Sequence, residues 1–194
     1  FPDGAGAAGL GMKSSLAPES ELFFGLDLDK DRKWASIGVC GQRADGNFHI
    51  EVVARRVGTA WVEDWFRARA IKTPMNLAFQ SRGAPVSGLA EQICALKGIN
   101  RIAIEGSDLT AGWGRFYDGI IANGDENRGG VRIYHLQQPV MDMPARTMQL
   151  RNIGGGIELP DRTKSPDDIA PLFACFVAFA AATKVKNEEK KIHK

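Results

Sequence analysis

Between Leu22 and Asp29 apolar and acidic side chains alternate. An extended chain puts Leu26 and Leu28 on one side and Asp27 and Asp29 on the other. This predicts a strand over 22–29, a second over 33–41 beyond a tight polar turn, and a third over 48–57 after Ala44-Asp45-Gly46-Asn47. Together they make an antiparallel three-strand meander. The stretch TAWVEDWFRARAI (59–71) then carries Trp61, Trp65 and Ala68 at helical spacing and predicts an amphipathic helix.

Beyond residue 75 the rhythm changes to strand–helix units. NLAFQS (76–81) reads as a buried strand and VSGLAEQICALKG (86–98) as a helix closed by Gly98. NRIAIEG (100–106) is a further strand and DLTAGWGRFYDGIIANG (108–124) a further helix. Two such units in a row predict parallel strands joined by crossover helices. VRIYHL (131–136) reads as a strand and PARTMQLRNI (144–153) as a short helix, followed by a break at Gly154-Gly155-Gly156. SPDDIAPLFACFVAFAAATKV (165–185) is apolar nearly all round, so it is expected to be packed inside. The order, a β-meander and helix, then βαβα, then a buried helix, is that of RNase H-like folds: an α/β class with a mixed sheet flanked by helices.

The expected organisation is a flexible linker or expression remnant over 1–20, one folded domain over 21–185 and a charged tail over 186–194. Gly4-x-Gly6-x-x-Gly9 formally matches a dinucleotide fingerprint. That motif needs a preceding strand, and only Phe1-Pro2-Asp3 stands there. A chain of 194 residues suits one domain. With 25 Lys and Arg against 23 Asp and Glu, the net charge of +2 provides no global field for nucleic acid, so such a partner must be met by a local patch. Cys40, Cys94 and Cys175 are odd in number, widely spaced and set among apolar neighbours, which argues against a disulfide framework or zinc site and suits a reducing compartment. His49, His135 and His193 are too scattered for a metal cluster. No signal peptide or bilayer-spanning run is read, so no membrane partner is expected.

The acids carry the candidate chemistry. Asp27 and Asp29 belong either to a wet face running into a turn or to a metal site on a central strand. Glu105 ends the strand RIAIE, where it either reaches water or faces a site. Asp167 and Asp168 lie in Ser165-Pro166-Asp167-Asp168, a good helix start in its own right, although Pro171 can instead mark the first turn and leave Asp168 ahead of it. Taken singly, each acid reads as ordinary structure. Taken together, they fall on the first strand, at the end of a later strand and at the last helix, where an RNase H-like nuclease holds two divalent cations for in-line phosphodiester displacement. Such hard cations require oxygen ligands.

Four stretches resemble the C-terminal nuclease domain of the large terminase subunit of tailed bacteriophages. They are FFGLDLDKDRKWASIGVCGQRADGNFHIEVVARRVGTAWV, FQSRGAPVSGLAEQI, EGSDLTAGWGRFYDGII, and HLQQPV joined later by DRTKSPDDIAPLFACFVAFA, covering roughly residues 22–184. The resemblance implies a metal-dependent endonuclease that cuts concatemeric viral DNA during genome packaging in the host cytoplasm. It implies two Mg²⁺ or Mn²⁺ ions, and as partners double-stranded DNA, an ATPase motor domain, a small terminase subunit and a portal. No Gly-x-x-x-x-Gly-Lys-[Ser/Thr] loop stands in these residues, so the motor is expected to lie outside them. By the resemblance Asp27 is the first-strand catalytic acid and Asp168 the last-helix acid. The middle acid's position is taken by Gln80, a neutral amide. Glu105, one strand over, is expected to take the missing acidic role, with Asp29, Gln80 and Asp167 as auxiliary ligands. Arg82, Arg115, Arg162 and Lys164 are candidate phosphate contacts. Two other outcomes stay open: a catalytically weak module that docks DNA or portal, and another RNase H-like nuclease such as a resolvase.

Overall fold

A hairpin begins the sheet. Strand β1 (Phe23–Leu28) pairs antiparallel with β2 (Trp34–Gln42), which pairs antiparallel with β3 (Phe48–Val57). The computed structural model describes residues 14–125, 127 and 129–192, with side chains to residue 185; the Gly4–Gly9 motif and His193 lie outside these. Contacts with the sheet begin before Glu21. Ser14 Oγ lies 2.7 Å from His49 Nδ1, and the Ala17 amide donates to Gln42 O at 2.9 Å.

Helix α1 (Ala60–Ala70) follows the meander. Then come β4 (Met75–Gln80), α2 (Ser87–Cys94), β5 (Ile99–Ile104) and α3 (Gly106–Ile121). β4 pairs parallel with both β1 and β5, as the two strand–helix units require. A short strand, β6 (Ile133–His135), joins the far edge parallel to β3, giving the order β5-β4-β1-β2-β3-β6. The fold is a mixed α/β sheet with helices on both faces, RNase H-like in its strand order.

Two differences from the sequence pattern have physical reasons. The helix expected over 144–153 is instead α4 (Pro139–Thr147). Pro139 fits its first turn, and the Asp142 carboxylate accepts the Gln138 amide at 3.0 Å. The chain then forms a hairpin, β7 (Leu150–Asn152) and β8 (Glu158–Pro160), turned by Gly154, Gly155 and Gly156, all at positive φ. The last helix, α5 (Ala170–Ile192), starts after Asp168 rather than at Ser165. Asp168 Oδ1 accepts the Ala170 amide at 2.9 Å, and Pro171 sits in the first turn, where its missing N–H costs no hydrogen bond.

The two faces of the sheet bury separate cores. Leu26, Leu28, Ile37, Leu77 and Phe79 pack against α1 and α2. Phe23, Ile50, Ala78 and Ile104 pack against α3 and α5, where Phe173, Phe176 and Phe179 sit among other rings. α5 lies directly on β1 and β2 because both strands carry glycine beneath it. A Cβ at Gly25 would fall 1.9 Å from Ala174 O, and one at Gly38 would fall 2.6 Å from the Cys175 amide nitrogen. Such an approach tolerates no side chain. No described helix is long and apolar enough to cross a membrane.

Candidate active site

The glycine seat places the start of α5 above the end of β1. Asp27 shares Gly25's face, two residues further along, and is fully buried. The pairing register aligns polar residues across four strands there. Asp27 stands opposite Ser36, and Ser36 opposite Arg55. Gly25 pairs with Ala78, so two residues on Gln80 falls level with Asp27 on the other side. A bulge in the β2–β3 pairing between Ile37 and Gly38 sets this register, shifting the Arg55 end of β3 relative to its apolar start.

Each carboxylate of the row meets an arginine. Arg162 Nη1 donates to Asp27 Oδ2 at 2.5 Å and to Leu28 O at 3.3 Å, with its guanidinium 4.2 Å from the centre of the Phe173 ring. Arg55 Nη2 donates to Asp168 Oδ2 at 3.2 Å, its guanidinium lying 4.2 Å over the Trp34 ring. Burial pushes the Asp27 carboxyl from the ordinary 3.8 up to about 6. The Arg162 charge and hydrogen bond oppose that rise, and the nearby Asp168 charge adds to it.

Arg162 is aimed by the turn that leaves β8. The Asp161 carboxylate accepts the Thr163 amide at 2.9 Å, the Thr163 hydroxyl at 2.6 Å and the Lys164 amide at 3.1 Å. These bonds, the Thr163 side chain's foremost, hold the Asp161 carboxyl below the usual carboxylate range. Ser165 closes the turn by donating to Asp161 O at 2.6 Å.

The polar row is not saturated. Asp27 Oδ1, Ser36 Oγ, Arg55 Nε and Arg162 Nη2 are all buried without a hydrogen-bond partner in the protein. A buried polar atom without a partner costs about 1–3 kcal/mol. Four of them gather around Asp27. Two clefts open on it. One, of about 250 Å³, is lined by Asp29, Trp34, Arg55, Arg162, Asp167 and Asp168. The other, of about 210 Å³, is lined by Gln80, Gly83, Arg151, Asp161, Arg162 and Thr163, so Arg162 borders both. A further cavity, of about 400 Å³, lies at the opposite end of β1 beside Glu21, Phe23 and Gln42, away from the acids.

The other candidate residues are placed differently. Glu105 lies one residue beyond Ile104, which pairs with Gln80 and packs in the α5-side core, so Glu105 has the opposite parity. Its carboxylate accepts the Ser81 hydroxyl and lies 3.3 Å from Arg82 Nε, with Arg82 largely exposed. Asp168 lies close enough to Asp27 for its charge to act on that carboxyl, whereas Glu105 is engaged by Ser81 and Arg82. Asp29 Oδ1 accepts the Trp34 amide at 2.9 Å within the β1–β2 turn, and Asp167 Oδ2 accepts the Thr147 hydroxyl at 2.6 Å. Gln80 Nε2 donates to Arg82 O at 2.8 Å. Arg115 sits on α3 with its Nε buried, and Lys164 lies in the Asp161 turn. Among the described residues, no three His, Cys, Asp or Glu side chains converge as a metal-ligand group. Ser36 and Arg55 were not among the sequence candidates. Only the strand register, which the sequence does not specify, connects them to Asp27.

No family profile matches the sequence, and no curated protein does. Solved structures do match. The large terminase nuclease from thermophilic phage G20c with bound magnesium is 11% identical, with a TM-score of 0.56 over 86% of this chain and 84% of its own. The P22 large terminase nuclease domain is 8% identical, with a TM-score of 0.59 over 92% of this chain and 89% of its own. The HK97 large terminase is 13% identical, with a TM-score of 0.59 over 90% of this chain and 41% of its own. The fold of this chain is therefore the one adopted by large terminase nuclease domains.

Proposed function

We propose that this chain is a divalent-metal-dependent endonuclease that cuts double-stranded DNA during viral genome packaging. The observation that carries the reading is the Asp27 carboxylate, fully buried yet with Oδ1 unpartnered, near enough to Asp168 to feel its charge. A buried carboxylate with an unpartnered oxygen beside a second acid suits a cation ligand. One of the similar nucleases holds magnesium.

The donor set fits a hard cation. Asp27 Oδ1 and the Asp168 carboxylate would hold it, while the 3.2 Å bond from Arg55 and the Ala170 amide fix the orientation of Asp168. A divalent cation bound there acidifies a water and offsets the charge that develops on a phosphodiester during displacement. Two carboxylates serve one cation. A second calls on the Gln80 carbonyl, level with Asp27, or on Glu105 released from Ser81 and Arg82. Arg82 and Lys164 are exposed and Arg162 borders both clefts, so these cations are suited to neutralise phosphates, with Arg115 a further contributor from α3. Pairing with an ATPase motor, a small terminase subunit and a portal belongs to the same reading.

A second reading has its own support. With Gln80 in place of an acid and each remaining carboxylate already paired with an arginine, the site is charge-balanced without a cation. That arrangement suits a domain that docks DNA and cuts weakly. Supercoiled plasmid incubated with Mg²⁺, Mn²⁺ or EDTA separates the two. The nuclease reading expects metal-dependent nicking, abolished by both Asp27→Ala and Asp168→Ala. A folded protein that binds duplex but cuts with neither metal gives the docking reading.

A further inference from the structure

We propose that Arg162 is the resident counter-ion of the acid pair: its guanidinium stands in for a divalent cation at Asp27 and competes with one for the site. The inference rests on the metal-site reading above and adds a competitor that sets the site's cation affinity, a role separate from contacting phosphate.

Three features of the geometry point to it. First, Arg162 Nη1 takes Asp27 Oδ2 at 2.5 Å, and the two side chains are 15% and 1% exposed, so the contact is shielded from water. A guanidinium held this close opposes the approach of a second positive charge to the same buried acid. Second, the grip is single-ended. A bidentate arginine–carboxylate pair uses both oxygens and both terminal nitrogens. Here Asp27 Oδ1 and Arg162 Nη2 are both buried without partners, so the pair leaves half its bonding capacity unused. Third, Arg162 has somewhere to go. It lies on the border of both clefts, and the second one, beside Gln80, Gly83 and Thr163, offers about 210 Å³ next to the guanidinium's present position. The loop that carries it is tied at Asp161 and Ser165 through main-chain and hydroxyl bonds, none of which involves the Arg162 side chain. The guanidinium can therefore move while its loop stays in place.

The test is Mn²⁺ titration of the full chain by calorimetry, without DNA, comparing wild type with Arg162→Gln, Arg162→Lys and Asp27→Asn. A ligand that must displace a competitor binds more tightly once the competitor is gone. Arg162→Gln is expected to bind Mn²⁺ about tenfold more tightly than wild type. Arg162→Lys, whose shorter reach and point charge make a poorer mimic of the fork, should gain about threefold, and Asp27→Asn should lose binding. Should Arg162→Gln fail to fold, the Arg162→Lys comparison decides alone. Equal or weaker Mn²⁺ affinity in the Arg162 variants, with Asp27→Asn still losing binding, overturns the counter-ion role and leaves the metal site standing. Absence of Mn²⁺ binding in every protein, Arg162→Gln included, overturns both. If Arg162 only contacts phosphate, its substitution lowers duplex affinity and leaves the metal-only titration unchanged, which also overturns the proposal.

Discussion

Two residues apart on one strand, Gly25 and Asp27 face the same helix and meet it in opposite ways. At Gly25 the helix backbone comes so close that a single methyl group has no room, and the contact is apolar and closed. At Asp27 the same burial encloses a charge, and polar atoms lie around it without partners. The first contact sets the distance between strand and helix, and the second uses it. Burying three phenylalanines of α5 contributes on the order of 2 kcal/mol each, enough to offset the roughly 3 kcal/mol that a two-unit pKa rise at Asp27 represents. The seat thus stabilises the fold in spite of the strained electrostatics beside it.

The largest effect should come from breaking the seat. Gly25→Ala is expected to lose more than about 3 kcal/mol of stability, because the obstruction is helix backbone rather than a side chain that can turn aside; the midpoint of a guanidinium denaturation curve reads this directly. Asp27→Asn should do the reverse to the two properties. Cleavage is expected to fall at least about 100-fold, while metal-free stability at pH 8 rises by up to about 3 kcal/mol. The direction follows from the raised carboxyl. The folded state prefers protonated Asp27, so this contribution is complete below pH 4 and is lost as pH rises through about 6. Wild type in EDTA should therefore lose stability between pH 4 and 7 by an amount that Asp27→Asn does not. Loss of stability on Asp27→Asn at pH 8 would show that Arg162 and Asp27 are a net stabilising pair and erase the contrast with Gly25.

Smaller effects sharpen the comparison. Arg55→Gln removes the partner that orients Asp168 and should weaken Mn²⁺ binding by about tenfold, measured by titration, with little change in thermal midpoint. Glu105→Ala touches an exposed pair with Arg82, whose contribution is below about 1 kcal/mol. Plasmid cleavage by that variant is expected to stay within about threefold of wild type, and a larger loss would bring Glu105 back as the third acid.

The sequence made part of this visible. Alternation around Asp27 and the Ser165–Asp168 run, read with the order of strands and helices, were enough to expect these two acids in one place. The apolar length of 169–183 announced the helix that delivers Asp168. Arg162 stood out as a cation near a strand end, yet its target is Asp27, a contact made across 135 residues by a turn whose aim depends on Asp161. Arg55 and Ser36 gave no sign, because only the pairing register with its bulge brings them level with Asp27. The role of Gly25 was readable in principle, since glycine inside an apolar strand marks close backbone approach. Glu105 was expected one strand from Gln80, and so it is. Its partners there, Ser81 and Arg82, were not legible, because they depend on where each strand ends.

The separation of the two halves of the seat along the chain has a consequence for timing. β1 is synthesised first, and the helix that covers it, like the arginine that reaches Asp27 from 135 residues away, emerges from the ribosome long afterwards. Until then Asp27 lies on an open hairpin, hydrated and ordinary. The arginine partner follows at residue 162, and the helix that buries the carboxylate only from Ala170. Whatever chemistry this protein performs is withheld until translation has passed α5.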